Sequence, residues 1–482
     1  MIDDEDLQER THRLLAEAAH VYRGVPPAAA VLRATVEGLA GPLRLAVAGP
    51  AQSGKSTLVS ALIGEQLAPV ELPGEQPESV VYRDGTEPLA WWRDAEIPVA
   101  RTAYGLRLSP DARHERRQPG ASRAVIVWPS RVLRRTELID TRLPLVRAVE
   151  EADAVLYVTP QLGDADVPAL LTARGPRGPI TAPVHLMVVL SRADATGGGR
   201  TDALLTAKQA ARRRRREPRI GALCQDVLAV SPLIAAAART LTADEFQAIT
   251  ALAALPRAES EPHLLSTDRF AAAGVLSPVD APGRVRLLQR FGLGGVRLAL
   301  TLARTGGDTP AALAERLQEH SGLKDLQSSI AGLFTARRSV LRARSALATL
   351  DHVLRTHRTP AAGHLLAQVE LLVADAHELR ELRLLSALRA GRLNLPPEHG
   401  ADARQLLGGA GVSIGERLGM SPDATADDTW HAARAAAGRW RDLAHGGTLP
   451  AAQRRAAETV LRSCDMIANR LDRLSSPALP LG

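Results

Sequence analysis

Cysteine, lysine, aromatic residues and long apolar runs are all scarce in this 482-residue chain. Its two cysteines, Cys224 and Cys464, lie far apart. That spacing argues against a disulfide framework and for a reducing cytosol. The opening Met-Ile-Asp-Asp-Glu-Asp has neither the basic region nor the apolar stretch of a secretion signal. No window reaches the roughly 18 apolar residues that cross a bilayer. The nearest, Gly292 to Ala303, is too short and carries Arg297, so any membrane contact is expected to be peripheral. His185, His352, His357 and His364 show no ligand spacing with cysteines or acidic clusters, which leaves no histidine metal centre to expect.

What is abundant is Ala, Leu and Arg, all strong helix formers. Hydrophobic residues make up 45% and charged residues 23%, ordinary for a globular protein. Lysine occurs only at 55, 208 and 324 among 60 Lys and Arg, and the net charge is +7. Such a surface suits an acidic partner, an anionic membrane leaflet being the natural one. Nucleic acid is not expected, because no recognisable RNA-binding motif accompanies the charge. The length implies two or three domains.

Residues 5–38 read as amphipathic helix broken at Gly24-Val-Pro-Pro27. Continuous apolar runs at 43–48, 123–128, 136–140, 154–158, 184–190 and 226–230 read as strands covered on both faces. The runs 123–128 and 136–140 are close enough to form a hairpin. Strand and helix alternate to about 235, which predicts an α/β domain with a mostly parallel sheet. Beyond 240 the strand signal ends. Leu333, Ala336, Val340, Ala343, Leu347, Leu350 and Leu354 repeat at steps of three and four, the seam of one long bundle helix. A second periodic stretch, Leu365 to about Leu388, ends at the helix breakers of 389–397. Further helices are expected at 425–444, where Thr425 and Asp428 have capping-box spacing, and at 451–474.

Gly49-Pro-Ala-Gln-Ser-Gly54-Lys55-Ser56 matches the phosphate-binding P-loop, with a strand before it and a helix after it. Gly49, Gln52, Ser53, Gly54, Lys55, Ser56 and Thr57 are the expected nucleotide-binding residues. Lys55 would reach the β and γ phosphates and the Ser56 hydroxyl would ligate Mg2+. Asp140, at the end of Leu138-Ile-Asp140-Thr141, is either a strand-end carboxylate or, as preferred here, a Mg2+ ligand through water. Ser191-Arg192-Ala193-Asp194 resembles a guanine-reading motif with Ser for Asn and Arg for Lys. Asp194 would accept from guanine, the Arg192 stem would cover the base, and Ser231 belongs to the last guanine loop. Between Pro69 and Tyr82, where a GTPase needs a threonine, none occurs, and Ser79 is the only hydroxyl there.

With these elements in order, the chain resembles the bacterial dynamin-like GTPases, specifically the isoniazid-inducible dynamin-like proteins of actinobacteria and their C branch. Leu190-Ser-Arg-Ala-Asp194 with Gly199-Arg200, Ser266-Thr-Asp-Arg-Phe270, Leu287-Leu-Gln-Arg-Phe-Gly292, Glu381-Leu-Arg-Leu-Leu385 and Glu416-Arg-Leu-Gly419 carry the resemblance. It implies an N-terminal helical segment over 1–38 packing in a neck, a GTPase head over 39–240 and a helical neck and trunk over 241–482. It also implies GTP or GDP with Mg2+, assembly with itself or a paralogue, and membrane remodelling from the cytoplasmic face. A lipid-touching tip is expected near 388–397, where Leu393 and Leu395 lie among Arg389 and Arg392; a plain inter-helix turn fits equally. The chain departs from the group in lacking the switch I threonine and in reading Asp140-Thr-Arg-Leu143, where Pro and Gly would follow the Thr. Ala51 and Gln52 stand where dynamins carry polar catalytic residues.

The expected function is thus a dynamin-like protein with a degenerate head that binds guanine nucleotide and hydrolyses it weakly or not at all. Its partner would be an active paralogue. Two other readings are an active GTPase remodelling membrane alone and an RNA-binding or ribosome-assembly GTPase, prompted by the basic charge and Arg212–Arg216. That arginine run reads better as the solvated face of a helix than as a lipid or nucleic-acid contact.

Overall fold

The computed structural model describes residues 7–475 apart from 69, 72–75, 94, 103–104, 110–122, 174–182, 199–201, 275, 277 and 448. The acidic start, part of the 69–82 stretch and the Gly199-Arg200 pair therefore lie outside the described residues. Nine strands form the main sheet: β1 Leu43–Ala48, β2 Ser79–Arg83, β3 Leu89–Trp92, β4 Ala95–Ile97, β5 Arg123–Val127, β6 Thr136–Thr141, β7 Ala154–Thr159, β8 Leu186–Leu190 and β9 Val227–Ala229. Their spatial order is β9-β8-β7-β1-β6-β2-β5-β3-β4. From β9 to β6 every neighbour is parallel. In β1, Leu43, Leu45 and Val47 enter one core while Ala46 and Ala48 enter the other. That period of two is what a strand covered on both faces requires.

The hairpin expected between 123–128 and 136–140 does not form. β2 lies between them, antiparallel to β6 through Ser79↔Thr141 and Val80↔Asp140, and parallel to β5. Val80, Val81 and Tyr82 are buried, and pairing on both edges gives this Val-Val-Tyr run two ladders of hydrogen bonds instead of one. A smaller sheet, of Val70–Glu71, Val99–Thr102 and Gly105–Leu108, stands beside it.

The remainder is helical, and no described helix is long and apolar enough to cross a membrane. Helices Leu7–Val21 and Pro26–Gly38 pack against helix Arg338–Thr356, with the Tyr22 hydroxyl donating to His357 O at 2.6 Å. The expected single seam helix is two. Helix Leu323–Leu333 ends at Phe334, and helix Arg338–Thr356 starts after a 3-10 turn. The buried Arg337 causes the break, donating to Leu407 O at 2.6 Å and Gly408 O at 3.1 Å. Likewise the stretch from Leu365 divides into Ala362–Asp375 and His377–Arg389, with Ala376 extended between them. The Thr425–Asp428 capping box forms, Asp428 N–H donating to Thr425 Oγ1 at 3.1 Å and Thr425 N–H to Asp428 Oδ2 at 3.2 Å.

The turn expected near 388–397 is partly covered. Leu395 is 8% exposed, and Leu393 packs against the same core. Arg389 reaches back to the α/β domain, 3.8 Å from Asp226, which also pairs with Arg215 at 2.8 Å. The Arg389–Asp226 pair ties the start of this turn to the α/β domain, with Leu395 buried and Leu393 half-buried. Within the arginine run, Arg214 pairs with Glu217 and Arg215 with Asp226, while Arg212, Arg213 and Arg216 face solvent.

Two buried carboxylates tie the helical part together. Asp153, at 0% exposure, accepts from Arg44 N–H at 2.9 Å and from the Arg44 guanidinium at 2.7 Å. It also accepts from Arg342 at 3.3 Å and from the Ser345 hydroxyl. Burial pushes its carboxyl up, but Arg44, Arg342 and Ser345 outweigh that and hold it below the usual range. For Glu381, burial is likewise outweighed by His377, Arg417 and Ser463, giving a value of about 2. Both folded values lie below the unfolded ones. The resulting stability is present above roughly pH 4 and is lost as pH falls through the folded values. Thermal melts at decreasing pH should show the transition temperature falling from about pH 4 downwards. Asp153→Ala leaves Arg342 without its buried counter-charge and should cost about 3–5 kcal/mol, read as a lowered denaturation midpoint.

Candidate nucleotide site

The loops after β1, β6, β8 and β9 all leave the same end of the parallel sheet, the edge at which α/β folds bind ligands. Between them lies a cleft of about 1040 Å³ lined by Gly49, Gln52, Ser53, Gly54, Lys55, Ser56, Thr57, Asp140, Ser191, Arg192 and Asp194. The sequence-predicted residues are therefore brought together, with Ser231 behind them. The structure adds Gln76 and Arg142, which no motif singles out, and brings in Thr267 and Gly292 from two of the segments that carry the family resemblance.

At the phosphate end, Gly49 has φ of +145°, and a Cβ there would lie 2.1 Å from Val158 O. Only glycine lets the loop lie this close to β7. Helix Lys55–Ile63 then starts at Gly54, turning its first N–H groups toward the cleft. The Lys55 ammonium donates to Gly49 O at 2.9 Å and Pro50 O at 2.7 Å, and the Ser56 hydroxyl to Asp140 Oδ2 at 2.6 Å. Burial lowers the Lys55 pKa against the pull of Asp140. Burial also raises that of Asp140 against the pull of Ser56 and Lys55. Each charge is thus partly uncompensated, the condition that phosphate and a divalent cation relieve.

The base end is built from the β8 and β9 loops. Asp194 Oδ1 accepts from the Ser231 hydroxyl at 2.6 Å, fixing the carboxylate. Arg192 has a left-handed backbone (φ 58°) and sends its guanidinium 3.4 Å from Gln52 O, bridging the two ends of the cleft. Behind Asp194, helix Ala281–Arg304 breaks at Gly292 (φ 66°, ψ 167°). A Cβ on Gly294 would stand 2.6 Å from Asp194 O. Arg297 fastens this helix by donating to Gly198 O at 2.7 Å. The Phe-Gly-Leu-Gly-Gly spelling of 291–295 is the sequence trace of that close approach.

The fit to a magnesium nucleotide can be tested on two buried hydroxyls. Ser53 and Ser191 both line the cleft, and neither Oγ has a hydrogen-bond partner among the described residues. Buried polar groups without partners are rare, and one at each end of the cleft fits a ligand with phosphates and a polar base. Lys55 and the loop N–H groups would hold the phosphates, and Ser56 with Asp140 the Mg2+. The metal, when bound, neutralises charge on the phosphate oxygens.

The hydrolytic parts are differently placed. Leu143 N–H donates to Thr141 Oγ1 at 3.1 Å, so it is not directed at a phosphate. β2 pairs with β6 as far as Thr141, and helix Leu145–Glu151 follows Pro144 at once. Ser79 is 4% exposed and sits in β2 next to Val80, which faces the cleft. Alternation along the strand turns Ser79 to the opposite face. The described residues between helix Lys55–Ile63 and β2 include no threonine, so Thr57 of the P-loop helix is the one threonine that the described part of the β1–β2 connection brings to the cleft.

No family model matches the chain. The isoniazid-induced protein IniC of Mycobacterium tuberculosis, in strains CDC 1551 and H37Rv, is 35% identical over 462 residues, covering 90% of this chain and 92% of that protein. Two solved structures of an oligomerised bacterial dynamin pair align over 98% of this chain and 75% of theirs, at 13% and 12% identity and a TM-score of 0.27. Assignment therefore rests on the IniC relatives together with the P-loop head and helical trunk. The chain belongs to the family of the isoniazid-induced protein IniC.

Proposed function

We propose that this dynamin-like protein binds a guanine nucleotide with Mg2+ and hydrolyses it slowly, serving as a nucleotide-gripping member of membrane-associated assemblies. The observation that supports this most is the asymmetry of the cleft. Its gripping groups converge, with Lys55 on the loop, Ser56 on Asp140 and Asp194 on Ser231. Its hydrolytic groups do not, since Leu143 N–H is bound to Thr141 and no described threonine faces the cleft from switch I. Hydrolysis requires an aligned water and extra charge stabilisation in the transition state, whereas binding requires neither. A subunit that holds nucleotide without turning it over suits a heteromer whose active paralogue supplies turnover. The net charge of +7 suits attraction to an anionic bilayer surface.

Calorimetric titration with GTP, GDP and ATP, with and without Mg2+, tests the binding claim. Mg2+-dependent binding of GTP and GDP in preference to ATP is expected. Lys55→Ala should weaken it by at least about tenfold, since charge-assisted hydrogen bonds contribute 1.5–3 kcal/mol or so. No binding of any guanine nucleotide would refute the reading. Co-sedimentation with anionic but not neutral vesicles, weakening as salt rises, checks the membrane part.

A further inference from the structure

The turn after Asp140 carries a group that the P-loop motif leaves unassigned. Arg142 lines the same end of the cleft as Lys55 and Asp140. Its backbone N–H donates to Glu78 O at 2.8 Å, and its guanidinium donates to the Gln76 side-chain oxygen. Both partners belong to the segment that runs into β2. Among the described residues at this end of the cleft, two cations, Lys55 and Arg142, face one carboxylate, Asp140. The next backbone donor, Leu143 N–H, is already bound to Thr141 Oγ1.

We propose that Arg142 is the terminal-phosphate sensor of this cleft, a guanidinium supplied by the chain itself where a backbone N–H would otherwise do the sensing. The inference rests on the nucleotide reading above. A guanidinium is always charged, and its planar fork matches phosphate oxygens in pairs. Gln76 gives it only a neutral amide oxygen. A terminal phosphate gives it a charged acceptor, and such bonds are roughly twice as strong. Arg142 therefore exchanges Gln76 for the phosphate when a triphosphate enters, and keeps Gln76 when a diphosphate does. Because residues 76–78 lead directly into β2, that exchange changes the anchoring of a strand lying between β6 and β5. The chain can thereby distinguish the two nucleotide states without hydrolysing either.

The test titrates the full-length protein with Mg2+·GDP and with the Mg2+ complex of a non-hydrolysable GTP analogue. Arg142→Ala is expected to weaken the triphosphate analogue by about tenfold or more while GDP stays within about twofold of wild type. Arg142→Lys should recover only part of the loss, keeping the charge but not the fork. Equal weakening of both nucleotides, or of neither, overturns the proposal and leaves Arg142 a surface arginine bonded to a glutamine. Should Arg142→Ala lower the melting temperature, Gln76→Ala decides, because it leaves the arginine in place. Tighter triphosphate binding then supports the exchange, and unchanged binding overturns it. A wild type that binds no guanine nucleotide refutes the proposed function, and the sensor with it. A wild type that binds GDP and the analogue, with indifferent variants, refutes the sensor alone.

Discussion

The arrangement of this molecule depends on one buried carboxylate. Asp153 stands just before β7 and draws to itself Arg44 from β1 and Arg342 and Ser345 from the long trunk helix. Arg342 also donates to the Gly38 and Pro42 carbonyls, so the N-terminal helices join the same knot. A carboxylate this deep is costly to desolvate and is tolerated because each oxygen is met by a donor. Removing any donor would expose the cost, which makes the junction of sheet, trunk and N-terminal segment specific rather than slippery. A single apolar core runs from β1 through the trunk helices, so α/β domain and helices are not independent bodies joined by a linker.

The same strands carry that constraint to the cleft. β1 and β7 start at Arg44 and Asp153 and run about six residues, roughly 20 Å, to where Gly49 and Val158 meet. The P-loop therefore rests on a strand pair whose other end is locked into the trunk. At the cleft, the phosphate and base ends are each held by internal hydrogen bonds. Lys55, Ser56, Asp140, Asp194 and Ser231 are thereby fixed in place around the cleft. Beside the cleft, β2 extends its pairing along β6 up to Thr141. That ladder ties β2, and the segment 76–78 leading into it, to the strand that carries Asp140.

Much of this could be read from residues alone, where local rules and the fold agree. The P-loop spelling, the all-apolar parallel strands and the Thr425–Asp428 cap are local patterns whose geometry is set within a few residues. The failures share a different cause. β5 and β6 looked like a hairpin because they are near in sequence, but β2 claims the space between them from about 50 residues upstream, a non-local pairing that no local pattern announces. The heptad seam was continuous as a pattern, and Arg337 broke the helix by bonding to carbonyls at 407 and 408. At 388–397 the sequence fits a lipid tip and a plain inter-helix turn equally, and only the fold shows Arg389 turned toward Asp226 and Leu395 in the core. Within the site, Arg142 was visible only as a departure from an expected Pro, and Gly292 only as one glycine of several. Their roles depend on which segments fold over them.

The central claim is that this cleft holds guanine nucleotide more readily than it cleaves it. Single-turnover hydrolysis measures that most directly, with protein in excess over radiolabelled GTP and saturating Mg2+. Bound GTP should persist, converting more slowly than about 10⁻³ per second, near or below the rate of an unassisted small GTPase. Mg2+-dependent conversion at about 1 per second or faster by the wild type alone, abolished in Lys55→Ala, would contradict the account.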